Sequence, residues 1–232
     1  MRMIPDPTGR FKERPYYEDG EIDHECERLV AAFLKDIRGK VEYPIRTDDL
    51  TKLIERHVAD FDSYADLSHY GPGVEGVTEF NPHKKPTVRI AAGLAGETHR
   101  ENRLRTTLTH EFGHVHFHTW LFDQRSGGSL IPAAASKAGD VQVCKRDTIV
   151  DAPQTDWMEW QAGHVCGAIL VPRRRARELA TEVAKRVPPP ALEPITPVTP
   201  FARALIDAIA DRFQVSVDCA RIRAQRLGLV GN

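Results

Sequence analysis

The sequence has no excess of either charge, no long apolar segment and no closely paired cysteines. Charged residues make up 28% of its 232 residues and nearly cancel, to a formal net charge of −1. The composition therefore predicts no overall basic surface for nucleic acid or an anionic membrane. No apolar segment approaches the length of a membrane-spanning helix, and the amino terminus lacks the pattern of a signal peptide. These absences favour a soluble globular protein.

The cysteines are scattered and form no C-x-x-C motif. They are Cys26, Cys144, Cys166 and Cys219. Such spacing is more typical of reduced thiols in a reducing compartment than of a disulfide framework. We therefore expect the protein to be cytoplasmic.

The hydrophobic pattern predicts a mixture of helices with a few strands. Helices are predicted at 22–38, from a cap at Thr47 to residue 54, and at 100–120, 156–170, 173–186, 201–213 and 217–227. Strands are predicted at 74–80 and 87–91, separated by a turn that contains Pro82 and Pro86. Residues 1–20 form an irregular leader, and residues 123–155 show no clear periodicity, which is typical of functional or mobile segments.

One predicted helix carries His110-Glu111-Phe112-Gly113-His114. Histidines four residues apart project from the same face of a helix, so both imidazoles can bind one zinc ion. Glu111 is placed to reach a water molecule on that ion. The motif predicts zinc chemistry, although patterns of this length also arise by chance.

A hydrolytic zinc site needs a third protein ligand and an open fourth position. The metzincin arrangement would require Gly and His where this sequence has Phe117 and Trp120, so the third ligand must come from elsewhere. His118 is expected to cap or pack, and His116 to point to the opposite face of the helix. Glu159 is the candidate, because it shares a helix face with Gly163, which would permit a close approach to another helix; the alternative is a solvated glutamate.

Two stretches together resemble the ImmA/IrrE family of metallopeptidases. The first stretch is residues 105–115, around the histidine motif, and the second is residues 159–172, from Glu159 to Ile169-Leu170-Val171-Pro172. Residues 74–80 and 89–94 are similar to the strands that precede the catalytic helix in that family. The similarity covers roughly residues 45–185. Departures from the family pattern fall at Gly163, Val165 and Cys166.

The resemblance implies a role for four residues. His110, His114 and Glu159 would bind one Zn²⁺ per chain, and Glu111 would be the catalytic glutamate, acting first as general base and then as general acid. Family members act on transcriptional repressors and antitoxin-like regulators. The resemblance therefore implies a protein substrate of that kind, which is itself a DNA-binding regulator.

We therefore expect an α+β fold, with a small twisted sheet packed on helices and the zinc-binding helix among them. The expected organisation is a leader and helix at 1–44, a zinc metallopeptidase domain at 45–186, a Pro-rich linker at 187–200 and a C-terminal helical unit at 201–232. The expected activity is hydrolysis of an internal peptide bond in a protein partner. Membrane association is not expected, and direct nucleic-acid binding is disfavoured.

Two other functions stay open. The protein could be a zinc-bearing regulatory module that binds a partner without cleaving it, although such a module has no need of Glu111 as a base. It could also be a DNA-binding regulator that uses Arg221, Arg223 and Arg226 in the last helix, against which the neutral net charge counts.

Several further hypotheses concern the surroundings of the zinc site. Tyr70 and His164 are candidates for stabilising the oxyanion, and Cys144 is either an inhibitory thiolate or a loop cysteine without a role. The strand at 74–80 is proposed as an exposed sheet edge that receives the substrate as an added strand. The last two helices either select the substrate or pack on the main core.

Overall fold

A computed structural model describes residues 1–81, 84–95, 100–127, 140–145, 152–153, 155–191 and 194–231. In chain order its elements are β1 (Arg2–Pro5), β2 (Glu13–Tyr16), α1 (Asp19–Arg38), α2 (Thr47–Glu55), β3 (Asp60–Ala65), a 3-10 turn (Ser68–Tyr70), β4 (Val74–Asn81), β5 (Lys84–Ala91), α3 (Ala92–Ala95), α4 (Glu101–Gly127), β6 (Asp140–Lys145), α5 (Trp157–Leu170), α6 (Arg173–Ala184), α7 (Pro200–Phe213) and α8 (Val217–Arg226). Within the described ranges, no helix combines the length and apolarity needed to cross a membrane.

The chain divides into two compact units. The first unit consists of Met1–Ile45 and Gly167–Asn232, and the second is Arg46–Cys166. The first unit thus contains both the leader helix and the C-terminal helices. The four-part domain organisation expected from the sequence stays a prediction, because compactness alone does not test which parts fold independently.

The second unit contains a four-stranded sheet in the order β3-β5-β4-β6. β4 is antiparallel to both β5 and β6, whereas β3 runs parallel to β5. Helices α2 and α4 pack together, and α4 also lies against β4. The expected fold class is therefore confirmed at the level of a small sheet packed on helices.

Helix α4 is buried on all sides over the stretch that carries the histidine motif. Every residue of 105–115 is buried, which is typical of a central helix and not of an amphipathic surface helix. The hydroxyl groups of Thr106, Thr107 and Thr109 donate to backbone carbonyls four residues earlier in the helix. These bonds satisfy buried polar groups without any partner outside the helix.

The expectation that β4 is an exposed edge is wrong. β4 pairs with β5 on one side and with β6 on the other, so it is an inner strand. β6 lies in the segment without clear periodicity, more than 60 residues further along the chain, and sequence analysis did not predict it. A strand cannot be placed at an edge or inside a sheet until all of its partners are known.

Two local expectations also need correction. The leader contains a β1–β2 hairpin, whose four-residue strands include Pro5 and Pro15 and therefore lack the usual strand signal. Thr47 does not cap α2, because the cap is Arg46, and the Thr47 hydroxyl donates to Glu101 at 2.7 Å. By contrast, Ser216 does cap its helix, α8, and its side chain accepts from the Cys219 N–H.

The first unit contains a buried ion pair that removes one arginine from the proposed basic cluster. Arg223 is 2% exposed, and its Nη2 lies 2.8 Å from Oδ1 of Asp23 on α1. That contact is not aligned as a hydrogen bond, but Arg223 Nε donates to the Val171 carbonyl at 3.0 Å. Arg223 is therefore not exposed for binding to DNA, which corrects the expectation from the sequence. Its role is to join α8 to α1.

Replacing Asp23 with Ala should destabilise the protein, because it leaves the buried Arg223 charge without a counter-charge. We expect the free energy of unfolding to fall by about 3–5 kcal/mol. Asp218→Ala is the control, since that side chain is 80% exposed and lies 3.7 Å from Arg221. The control should cost less than about 1 kcal/mol. Urea unfolding measures both, and equal losses would contradict the assignment.

Candidate metal centre

Helix α4 places its two motif histidines side by side in the interior of the second unit. His110, Glu111 and His114 are all 0% exposed. The spacing of four residues stacks the imidazoles one turn apart, with ring centroids separated by 4.9 Å. The Nε2 atoms of His110 and His114 point to the same place and lie 3.1 Å from each other.

Helix α5 adds the carboxylate of Glu159. Its Oε2 lies 2.9 Å from Nε2 of His110, and its Oε1 lies 3.2 Å from Nε2 of His114. The two helices come close because Gly113 has no side chain: a Cβ there would lie 3.0 Å from the Cα of Ala162. The structure thus brings together the three side chains that the sequence analysis named as metal ligands.

The spacing of these atoms suits a zinc-sized cation. Two imidazole nitrogens and a carboxylate oxygen that face one point can share a proton or a metal ion there. Zinc holds nitrogen and oxygen ligands at about 2.0–2.2 Å in a tetrahedral arrangement, so neighbouring ligand atoms are about 3.3–3.5 Å apart. The measured separations of 2.9 to 3.2 Å fall a few tenths of an ångström short of that range. The residues present therefore fit a bound metal ion.

One face of the sheet completes the site. Gly76 and Thr78 of β4 lie directly opposite Cys144 and Gln142 of β6, respectively. Residues two apart on a strand share a face, so all four face the same way. The Gln142 amide donates to Oε1 of Glu159, and the Thr78 hydroxyl donates to Oε2 of Glu111 at 2.6 Å. The roles of Thr78 and Gln142 were not predicted from the sequence, because they depend on the pairing of β4 with β6.

Glu111 has one carboxylate oxygen held and the other without a partner. Thr78 holds Oε2, whereas Oε1 is buried and makes no hydrogen bond within the described residues. Gly76 makes room for this carboxylate, since a Cβ at that position would overlap it. Burial raises the pKa of Glu111 above its ordinary value, against the opposing effect of His114 and His110. A buried carboxylate with one unpartnered oxygen and a raised pKa is suited to accept and return a proton.

Cys144 lies among the predicted ligands and not in a loop. Its thiol, the imidazole of His110 and the carboxylate of Glu159 lie within 4.8 Å of one another, and all three residues are buried. The thiol also forms a hydrogen bond with His110. Burial raises its pKa to about 12, so it is a neutral thiol when no metal is bound. The alternation Val141-Gln142-Val143-Cys144 is the sequence signal that could have placed it on a strand.

The charges of His110 and Glu159 stabilise each other. Burial favours the neutral form of His110, but Cys144 and Glu159 outweigh it and hold the pKa of His110 above its ordinary value. Burial would likewise raise the pKa of Glu159, but His114 and His110 outweigh it and hold that pKa well below the usual range. Glu159 is therefore a buried carboxylate that keeps its negative charge, as a metal ligand must.

A second pair of side chains orients His114. His118 Nε2 lies 3.0 Å from Oε1 of Gln161, and its Nδ1 lies 3.1 Å from Nδ1 of His114. An amide oxygen only accepts, so His118 carries its proton on Nε2 and accepts at Nδ1. His114 then donates from Nδ1 and keeps a lone pair on Nε2, the nitrogen that faces His110 and Glu159. His118 thus does more than pack, because it sets the tautomer that a ligand requires.

The two proposed oxyanion donors make contacts with residues other than the predicted ligands. The Tyr70 hydroxyl donates to Glu79 at 2.9 Å, and Glu79 alternates with Thr78 and so faces away from Glu111. His164 is five residues beyond Glu159, about 140° round the helix, and its ring contacts Trp160. The oxyanion donor stays unassigned. Residues 128–139, 146–151 and 154 of the segment predicted to be functional lie outside the described residues.

Comparison with protein-family models found no match to this chain, and neither did comparison with curated proteins. The resemblance to the ImmA/IrrE family therefore rests on the stretches of sequence alone.

Replacing His118 with Phe should weaken metal binding by about 10–100-fold, because His114 loses the partner that sets its tautomer. Phe keeps the ring volume and the contact with Trp157. The control is His116→Phe, since His116 stacks on Phe112 and not on the ligands. Chelator competition gives the dissociation constant of zinc. Equal affinities in the two variants would contradict the orienting role.

Proposed function

We propose that this protein is a zinc-dependent metalloendopeptidase that hydrolyses an internal peptide bond of a protein partner. The observation that carries the proposal is one cluster of four buried side chains. His110, His114 and Glu159 converge to within 3.2 Å, and Glu111 lies beside them with one carboxylate oxygen unpartnered. A site that only held a metal ion for stability would not need a second carboxylate beside the ligands with one oxygen left unpartnered.

Zinc is the metal proposed because of the donor set. Two imidazoles, a carboxylate and a nearby thiol are the ligands that zinc takes in proteins, whereas magnesium and calcium prefer oxygen alone. His110, His114 and Glu159 would hold it. The chemistry that bound zinc supplies is activation of water and polarisation of the scissile carbonyl group.

Glu111 does the proton transfer in this proposal. Its Oε1 accepts a proton from the attacking water and later delivers it to the leaving amine. Thr78 keeps the carboxylate in place throughout by holding Oε2 at 2.6 Å. Burial excludes bulk water and raises the pKa of Glu111 above its ordinary value, which strengthens this carboxylate as a base.

The substrate class rests on the resemblance to the ImmA/IrrE family. Members act on transcriptional repressors and antitoxin-like regulators, and we propose a protein regulator of that kind as the substrate here. The neutral net charge supports a protein partner over direct binding to nucleic acid.

A second candidate function is favoured by Cys144. Cys144 forms one group of possible metal donors with His110 and Glu159. If His114 also bound the metal, the site would have four protein ligands, and closed sites of that kind are usually structural. In that case the protein would be a zinc-bearing regulatory module that binds a partner without cleaving it. The two functions differ in their need for Glu111: peptide hydrolysis requires this residue as a base, whereas partner binding does not.

Glu111→Gln separates the two functions. The variant should keep stoichiometric zinc but lose peptide hydrolysis by about 10²–10⁴-fold, because glutamine cannot accept the proton. Elemental analysis measures the zinc, and mass spectrometry of protein N-termini in expressing cells identifies the cleavage products. The control is Glu182→Gln, an exposed glutamate paired with Arg212, which should leave both readouts unchanged. Identical N-termini in cells expressing wild type and Glu111→Gln would favour the regulatory module.

A further inference from the structure

Cys144 differs from the other buried cysteines in what surrounds it. Cys26, Cys144, Cys166 and Cys219 are all buried as free thiols. Cys144 alone belongs to the cluster of potential metal donors found within the described ranges, with His110 and Glu159. Its thiol bonds to the imidazole of His110, so it lies against a ligand of the proposed metal. An ordinary packing cysteine would lie among apolar side chains.

Strand pairing explains why the thiol reaches this place. Cys144 lies opposite Gly76 in the β4–β6 pair, and Gly76 is the position where the Glu111 carboxylate fills the space of a missing side chain. Nothing from the neighbouring strand therefore separates the thiol from the ligand cluster. Gln142, two residues earlier on the same face, holds Glu159. β6 thus contributes a hydrogen-bonding amide and a thiol to one side of the candidate metal centre.

We propose that Cys144 is the fourth metal ligand of the resting protein and closes the coordination position that peptide hydrolysis requires. This inference rests on the proposed function, since it names how that same site is kept inactive. The position is the one that a catalytic zinc site leaves open to water or substrate. A thiolate held there by the fold competes with water at a high effective concentration.

The change is a ligand exchange with no oxidation or reduction. When the metal binds, the Cys144 S–H bond breaks, a sulfur–metal bond forms and the proton leaves to solvent. When the site opens, the sulfur–metal bond breaks, water takes the position and the thiolate regains a proton. Both directions balance without any other reactant.

The location of Cys144 permits such an exchange. In the sheet order β3-β5-β4-β6, β6 is a terminal strand paired only with β4 among the described strands. Moving it breaks the ladder with β4 and the hydrogen bond from Gln142 to Glu159, but His110, His114 and Glu159 themselves stay on α4 and α5. The three permanent ligands and the removable one therefore belong to separate elements of the fold.

The test uses the full-length protein with Co²⁺ in place of the native metal, under conditions that keep the thiols reduced. Thiolate bound to Co²⁺ gives a charge-transfer absorption band in the near ultraviolet. We expect this band in wild type and in Cys26→Ala, and its loss in Cys144→Ala with cobalt still bound. Cys144→Ser, which keeps the side-chain size, should lose the band as well and guards against misfolding of the alanine variant.

Azide binding tests whether the thiolate closes the site. Azide titration of the cobalt spectrum gives its affinity for the open coordination position without any substrate. We expect azide to bind Cys144→Ala about tenfold or more tightly than wild type, because the competing thiolate is gone. Cys26→Ala should bind azide as wild type does.

The outcomes separate this inference from the proposed function. A wild-type cobalt protein without the charge-transfer band would overturn the ligand assignment. Equal azide affinity in wild type and Cys144→Ala would overturn the closure. If band and azide affinity change as expected but Glu111→Gln leaves the protein N-termini in cells unchanged, Cys144 is still the fourth ligand and the peptidase proposal fails. Failure of wild type to bind any metal would overturn both.

Discussion

The second unit depends on one constraint: two imidazole nitrogens and one carboxylate lie within about 3 Å of one another. These groups are fully or almost fully buried, so each must be compensated locally. The surrounding structure supplies that compensation: Gln142 bonds to Glu159, His118 with Gln161 orients His114, and threonine hydroxyls bond back to the backbone of α4. A side chain at Gly113 would push α5, and Glu159 with it, away from the histidines, and a side chain at Gly76 would displace the carboxylate of Glu111.

The features predicted from the sequence are those set by neighbours along the chain. The long helices and the strands β4 and β5, with the turn between them, follow from periodicity and turn residues. The grouping of His110 with His114 follows from the helical repeat. Glu159 was named first from the helix face that it shares with Gly163 and then from the resemblance, and α5 does bring it to the histidines. Local patterns thus predicted two of the three residues, and helix face and resemblance together predicted the third.

The features that were missed depend on contacts between distant parts of the chain. Four-residue β1 and β2 have no periodic signal, and β6 has only a short alternation, so neither the leader hairpin nor the inner position of β4 could be read from sequence. Arg223 looked like an exposed base because arginines usually are, yet Asp23, 200 residues earlier, neutralises it in the interior. Thr78 and Cys144 joined the site only through sheet pairing.

The register between β4 and β6 determines which side chains of β6 face the histidines of the candidate metal centre. On the face away from the helices, Val141 and Val143 pack against an apolar cluster of Ala65, Leu67, Val74 and Val77. A slip of one residue would exchange the two faces of β6 and present those valines to the histidines in place of an amide and a thiol. The candidate centre would then lose the thiol beside its histidines although the sequence still encoded every one of its residues. An insertion or deletion near β6 can therefore alter metal preference without any substitution at the site.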